Sequence, residues 1–98
     1  MTRRPMSVSA ARAVIDAAVL VKAPDWSESR HWHVVSGGRR LLVIEPSYRG
    51  VSRTGRNGWI WWIADSARML SRPEPTRQQA ATVGLAAWMR WTTSKEQQ

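Results

Sequence analysis

The sequence predicts an α+β domain in which helices flank a three-stranded antiparallel sheet, in the order α-β-β-β-α. Three local patterns lead to this prediction. A hairpin signal lies at residues 36–39, a run of tryptophan and isoleucine at residues 59–65, and a capped helical pattern begins at Thr76. Because two of the three patterns indicate strands and the third a long helix, we expect the helix to pack across one face of the sheet.

The composition describes one small, strongly basic domain over residues 1–98, with tails at 1–6 and 93–98 that we expect to be flexible. A net charge of +8 favours a nucleic acid or an acidic protein surface as partner, although arginine can also simply solvate a surface. The chain has no cysteine, which excludes disulfides, thiolate catalysis and zinc fingers. No apolar run approaches the roughly 20 residues of a membrane span, so we expect a cytoplasmic protein.

The first helix is predicted over residues 9–22, because alanine is frequent there and Ser7 or Ser9 can cap its start. Its stripe at helical spacing comprises Val8, Ala11, Ile15, Ala18 and Val19. Pro24 ends this helix, and the polar connector that follows, residues 24–30, can hold one further helical turn.

A β-hairpin is predicted next, with strands at residues 31–35 and 40–45. Gly37 and Gly38 form its two-residue loop, since glycine adopts the positive φ angles that a tight hairpin requires. The hairpin is the strongest local prediction from the sequence.

The third strand, residues 59–65, contains three of the seven tryptophans. Side chains alternate along a strand, so one face carries Trp59, Trp61 and Ile63 and the other carries Ile60, Trp62 and Ala64. Neither face is polar. We favour a central strand covered on both faces, with one buried face and one aromatic face kept for a partner as the alternative. We also expect at least one of these tryptophans to be partly exposed; the competing account is that all three are core, with helices on both faces.

A long loop over residues 47–58 separates the second and third strands. It contains three arginines, three glycines and no acidic residue, so it cannot build a core. Loops of this length in compact domains are often functional.

The last helix is predicted from Thr76 to about residue 92, with Thr76 and Gln79 forming a capping box. Its stripe at helical spacing comprises Ala80, Val83, Gly84, Ala87, Trp88 and Trp91. Glycine destabilises the interior of a helix. Gly84 therefore indicates that a neighbouring element approaches the helix closely at this position. Two apolar residues on the opposite face, Leu85 and Met89, are candidates for a contact surface.

Catalysis has little support in the sequence, and we expect a protein that is not an enzyme and needs no cofactor or metal. His31 and His33 share a strand face but have no third ligand nearby in sequence. Asp65, beside Ser66 at a strand end, more often closes a strand than carries out catalysis. No glycine-rich phosphate loop precedes a helix.

Nucleic-acid binding is the function that the sequence favours. Guanidinium groups suit phosphates and tryptophan rings suit bases. The candidate binding residues are Arg39, Arg40, Arg49, Arg53, Arg56, Trp59 and Trp61. We expect a small DNA-binding (or RNA-binding) accessory or regulatory protein of a phage or mobile element. The alternative is a phage-type inhibitor or adaptor that binds a host protein or nucleoprotein complex through the basic loop and an exposed Trp/Leu surface.

The predicted order of elements is similar to that of double-stranded-RNA-binding domains and, over residues 31–91, to that of the arm-site DNA-binding domains of phage integrases. The first family has a Lys-Lys pair at the start of its last helix, where this chain has only Arg77 in Thr76-Arg77-Gln78-Gln79. Its Gly-Pro-x-His loop is also missing. The chain is therefore assigned to neither family.

Overall fold

The computed structural model describes residues 6–47, 58–66 and 72–93. The elements follow the order α1 (Val8–Asp16), β1 (Val19–Lys22), α2 (Trp26–Ser29), β2 (Trp32–Ser36), β3 (Arg39–Pro46), β4 (Trp59–Ile63) and α3 (Arg77–Thr93). The strands form one antiparallel sheet in the order β1-β2-β3-β4. The α+β class is as predicted, but the sheet has four strands rather than three.

The additional strand arises from the second half of the predicted first helix. The Ser7 side chain does cap α1, accepting a hydrogen bond from the backbone of Ala10, but the helix ends at Asp16. Val19–Lys22 then pairs with β2. β-branched residues favour strands. Pairing with β2 also supplies hydrogen-bond partners for the backbone N–H and C=O groups of these residues, which the helical pattern alone had placed in α1. The likeness to double-stranded-RNA-binding domains rested on a three-stranded sheet, whereas this sheet has four strands.

The hairpin and the connector match their predictions. Gly37 and Gly38 adopt φ angles of 56° and 80° and link β2 to β3. The connector forms the single turn α2. A register shift opposite Val34 and Val35 lets the consecutive residues Leu41 and Leu42 both join the core.

Both long helices contribute to a single core on one face of the sheet. This core comprises Ala11 of α1, Ala80 and Trp88 of α3, and Val34, Leu41, Leu42 and Ile44 of the sheet. A Cβ atom on Gly84 would lie 2.7 Å from Cδ1 of Leu42, which confirms the predicted close approach. We call this side the helix face and the other side the open face. The favoured prediction for residues 59–65 was wrong: β4 is an edge strand, because it pairs only with β3 within the sheet, and both helices pack on the same side.

The buried surface of α3 is rotated from its predicted position. Residues at four-residue spacing are buried, namely Ala80, Gly84, Trp88 and Thr92, whereas Val83 is 40% exposed. Leu85 and Met89, which were predicted on the opposite face of α3, are partly buried and pack against the core. α3 contacts both the sheet and α1, which widens the apolar surface that it must bury. No helix within the described ranges is long and apolar enough to cross a membrane.

Candidate nucleic-acid interface

Cationic and tryptophan side chains alternate at the end of the sheet opposite the Gly37–Gly38 turn. Lys22 pairs with Trp32 across β1 and β2, which places both side chains on the helix face. Trp26 and Arg30 come from α2 and its C-cap, and Arg77 begins α3. We call this series the cation–π stack; in spatial order it comprises Arg30, Trp26, Lys22, Trp32, Arg77 and Trp59.

The distances in the cation–π stack are those of cation–π contacts. The Trp26 ring centroid lies 4.8 Å from Cζ of Arg30 and 4.3 Å from Nζ of Lys22. Nζ of Lys22 is also 5.9 Å from the Trp32 ring. Cζ of Arg77 lies 4.1 Å from the Trp32 ring and 5.8 Å from the Trp59 ring. Each contact falls within the roughly 6 Å range in which a ring attracts a cation.

Among the described residues, the cations of the stack have no carboxylate partner. In the described part of the chain, no Asp or Glu forms an ion pair with Lys22, Arg30 or Arg77. Nε of Arg77 is buried and has no hydrogen-bond partner among those residues. The rings attract these cations without neutralising them, so the stack presents three positive charges in defined positions.

Arg30 occupies an unusual backbone position. Its φ of 61° lies in the left-handed region, and its N–H donates to the carbonyl of Trp26 to close α2. Glycine adopts this conformation at lower free energy, whereas a residue with a Cβ is disfavoured there by about 1 kcal/mol. The contact that the structure shows for the Arg30 side chain is with the Trp26 ring.

The residues predicted to bind are divided between two ends of the sheet. Arg39 lies beside the hairpin turn and forms an exposed ion pair with Asp65, with 2.8 Å between Nη2 and Oδ2. The opposite end of β3 is about 23 Å away at the usual rise of a strand. Arg39 therefore lies far from the stack, and a solvent-exposed pair of this kind stabilises a fold by at most about 1 kcal/mol.

The two predicted tryptophans also differ. Trp59 joins the stack through Arg77, and its backbone pairs with Glu74 just before α3. Trp61 packs beneath α3, where its ring would meet a Cβ on Gly84 at 3.2 Å. Trp61 is partly buried and packs against the core.

The three predicted arginines of the long loop, Arg49, Arg53 and Arg56, lie outside the described residues. The residues that flank this segment are described: the N–H of Ser47 donates to the carbonyl of Gly58 at 2.9 Å. Ser47 directly follows β3 and Gly58 directly precedes β4, so both lie at the same end of the sheet as the stack.

The open face carries a second group of side chains. Its central cross-strand row consists of Val21, His33, Val43 and Trp62, from β1 to β4. A hollow of about 530 Å³ lies over this row. It is lined by Pro24, Asp25, His31, His33, Arg40, Val43 and Trp62.

Glu45, His31 and Trp62 form a chain of side-chain contacts at this hollow. Nε2 of His31 lies 3.0 Å from Oε2 of Glu45, and the His31 ring meets the Trp62 ring edge-on with centroids 5.7 Å apart. Partial burial lowers the pKa of His33 below its usual 6.5, and Arg40 and the neighbouring His31 lower it further. Asp25 acts in the opposite direction and raises this pKa. The lowered pKa favours the neutral form of the His33 imidazole.

The predicted strand face shared by His31 and His33 is confirmed. Within the described residues, no three His, Cys, Asp or Glu side chains are grouped in a way that could hold a metal ion. The chemistry that the hollow offers is a ring surface, hydrogen-bonding groups and one arginine.

Sequence reasoning missed most of the stack, namely Lys22, Trp26, Arg30, Trp32 and Arg77. One signal was present: Lys22, Trp26 and Arg30 follow each other at intervals of four residues. The contribution of Arg77 depends on the fold, because a residue that begins the last helix packs against a ring of the second strand. No protein-family model, curated protein or solved structure matches this chain.

Proposed function

We propose that the protein binds nucleic acid without catalysing a reaction on it, and that the cation–π stack contacts the phosphate backbone. The observation that carries the proposal is a series of three cations, each in contact with at least one tryptophan ring and none paired with a described carboxylate. Phosphates form strong charge-assisted hydrogen bonds with such groups.

Preorganisation of the cations supports this proposal. A long cationic side chain loses rotational freedom when it binds an anion, which weakens binding. Contacts with Trp26 and Trp32 already restrict Lys22, Arg30 and Arg77, so part of that entropy is lost on folding. The net charge of +8 adds long-range attraction to a polyanion.

The long loop supplies a further prediction at the same end of the sheet. Arg49, Arg53 and Arg56 remain predicted phosphate contacts, and the segment that contains them begins and ends near the stack, at Ser47 and Gly58. Replacing all three by alanine should lower the slope of log K against log salt by about 2 to 3, since each neutralised phosphate contributes about 0.9. Fluorescence anisotropy with a labelled random duplex at several salt concentrations measures this slope.

The same measurement tests the stack itself. The double variant Lys22→Gln, Arg30→Gln removes two of its cations, so its salt slope should fall by about 1.4 to 1.8 on single-stranded or duplex DNA. The matched control is Arg12→Gln, Arg90→Gln, which loses the same charge from exposed positions on α1 and α3. Arg90 lies about 20 Å along α3 from Arg77.

Two results would reject the proposal. If the control variant loses as much affinity and slope as the stack variant, then net charge rather than the stack determines binding. If the unmodified protein binds neither DNA nor RNA at about 50 mM salt, nucleic acid is not the partner, and the acidic protein surface becomes the leading candidate.

A further inference from the structure

The hollow on the open face offers a ring surface to a planar ligand. Val43 lies between His33 and Trp62 in one cross-strand row and is only 5% exposed. The accessible surface of the hollow therefore comes mainly from the larger side chains around Val43, Trp62 and His33 among them. A planar heterocycle can lie in the hollow against the Trp62 ring.

The polar groups around the hollow fit a nucleotide. Neutral His33 offers one hydrogen-bond donor and one acceptor, and Asp25 offers acceptors, so both can pair with the edge of a base. Arg40 is exposed at the margin and can contact a phosphate. A hollow of about 530 Å³ has the size of a small-ligand site rather than that of a docked protein segment.

The Trp62 ring is positioned before any ligand binds. His31 contacts it edge-on, and Glu45 in turn orients His31 at 3.0 Å. Trp62 is half-buried, unlike the fully buried Trp88 of the core. No helix of the described chain packs over this face, because α1 and α3 share the opposite side.

We propose that this hollow binds one unpaired nucleobase of a single-stranded nucleic acid, stacked on Trp62, with Arg40 contacting an adjacent phosphate. The proposal rests on the nucleic-acid-binding function proposed above and adds a second contact of a different kind. The connector joins the two sites, since Pro24 and Asp25 line the hollow and Trp26 is the next residue. A base paired in a duplex cannot enter the hollow, so the inference predicts tighter binding of single strands.

The experiment compares four probes by anisotropy or competition. These are a mixed-sequence single-stranded DNA of about 12 nucleotides, its duplex, an abasic deoxyribose-phosphate oligomer of the same length, and the mononucleotides AMP and dTMP. The unmodified protein should bind the single strand about 5- to 100-fold more tightly than the abasic oligomer, the range that stacking of one base provides. Trp62→Ala should lose this preference while retaining its affinity for the abasic oligomer.

Three variants act as controls. Trp62→Phe should retain most of the preference because it keeps an aromatic face, and Val21→Ala, on the same sheet face but outside the hollow, should behave as the unmodified protein. Trp62→Leu keeps an apolar side chain without a ring, and carries the test if Trp62→Ala does not fold.

The possible failures are distinguishable. Equal binding of the single strand and the abasic oligomer by the unmodified protein overturns the base site and leaves the phosphate contacts intact. The base site is also overturned if Trp62→Ala loses as much affinity for the abasic oligomer as for the single strand, since Trp62 then acts only on the fold. The same criterion applies to Trp62→Leu if Trp62→Ala does not fold. If the mononucleotides bind as tightly as the single strand, the result overturns the proposed single-stranded ligand and indicates that the hollow binds a free nucleotide. Binding of none of the probes rejects the proposed function and this inference together.

Discussion

Trp61 and Trp62 are neighbours in β4 but lie on opposite faces of the sheet. Trp61 packs under α3 beside Gly84, where an added Cβ atom would lie 3.2 Å from its ring. Trp62 contacts His31 and lines a hollow that also contains Arg40 and Asp25. The alternation of a strand therefore assigns one tryptophan to stability and the next to a polar surface.

The difference shows how a small basic domain can keep aromatic side chains for binding. The two long helices α1 and α3 both pack on one face of the four-stranded sheet. The helix face contains the fully buried residues Leu42, Ile44 and Trp88, whereas the open face contains histidines, an arginine and a half-buried indole. If this division is correct, substitutions on the helix face should affect stability first, and those on the open face should affect binding first.

The largest expected effect is that of Trp88→Ala. Trp88 is 0% exposed at the centre of the core, so its truncation should lower the free energy of unfolding by about 3 to 5 kcal/mol. Trp62→Ala should cost less, because that side chain is only partly buried. Denaturant melts of the two variants measure the contrast, and equal losses would show that the open face is as much a part of the core as the helix face.

A smaller loss is expected from Gly84→Leu. The added side chain must displace Leu42 or Trp61, so overpacking should destabilise the fold by roughly 1 to 3 kcal/mol. Ala86→Leu introduces the same residue at an exposed position of α3 and should change stability by about 0.5 kcal/mol or less. A Gly84→Leu variant that melts at or above the temperature of the unmodified protein would contradict the close packing of α3 on the sheet.

Arg30→Gly separates folding from binding within the stack. Because Arg30 has a φ of 61°, glycine should leave the melting temperature unchanged or raise it slightly. The variant also loses a stack cation, so its affinity for nucleic acid should fall together with its salt slope. A variant that is destabilised yet binds normally would mean that the Arg30–Trp26 contact serves the fold alone.

The smallest expected effect is a pH dependence from the open face. The folded-state pKa of His33 lies below 6.5, so its contribution to stability is complete above pH 6.5 and is lost as the pH falls through the folded pKa. The causes are partial burial and the charges of Arg40 and His31, opposed by Asp25. Thermal melts at about pH 7.5 and pH 5 should show a smaller acid-induced drop for His33→Asn than for the unmodified protein. Identical drops would show that the environment of His33 does not oppose its protonation.

Local patterns in the sequence were sufficient for several parts of this fold. Gly37 and Gly38 specify a hairpin, Thr76 and Gln79 specify the start of α3, and alternation separates Trp61 from Trp62. Each of these features depends on neighbouring residues alone, so no knowledge of distant contacts was needed.

Features that depend on distant pairing could not be predicted in this way. Val19–Lys22 continues the helical pattern of α1 and becomes a strand only because β2 lies alongside it. The wider buried surface of α3 follows from its contact with α1, which a single helical pattern does not reveal. The cation–π stack joins residues from β1, α2, β2, β4 and the start of α3, and therefore exists only once the sheet and helix are in place.

The seven tryptophan side chains provide a direct test of where the nucleic acid binds. Each indole N–H gives a resolved signal in a proton–nitrogen correlation spectrum of the labelled protein, so titration with a mixed-sequence single-stranded DNA reports on both faces at once. We expect the signals of Trp26, Trp32, Trp59 and Trp62 to shift, and that of Trp88, which is 0% exposed, to stay in place. Saturable binding that leaves all four of those signals unmoved would contradict the assignment of the stack and the hollow as the interface.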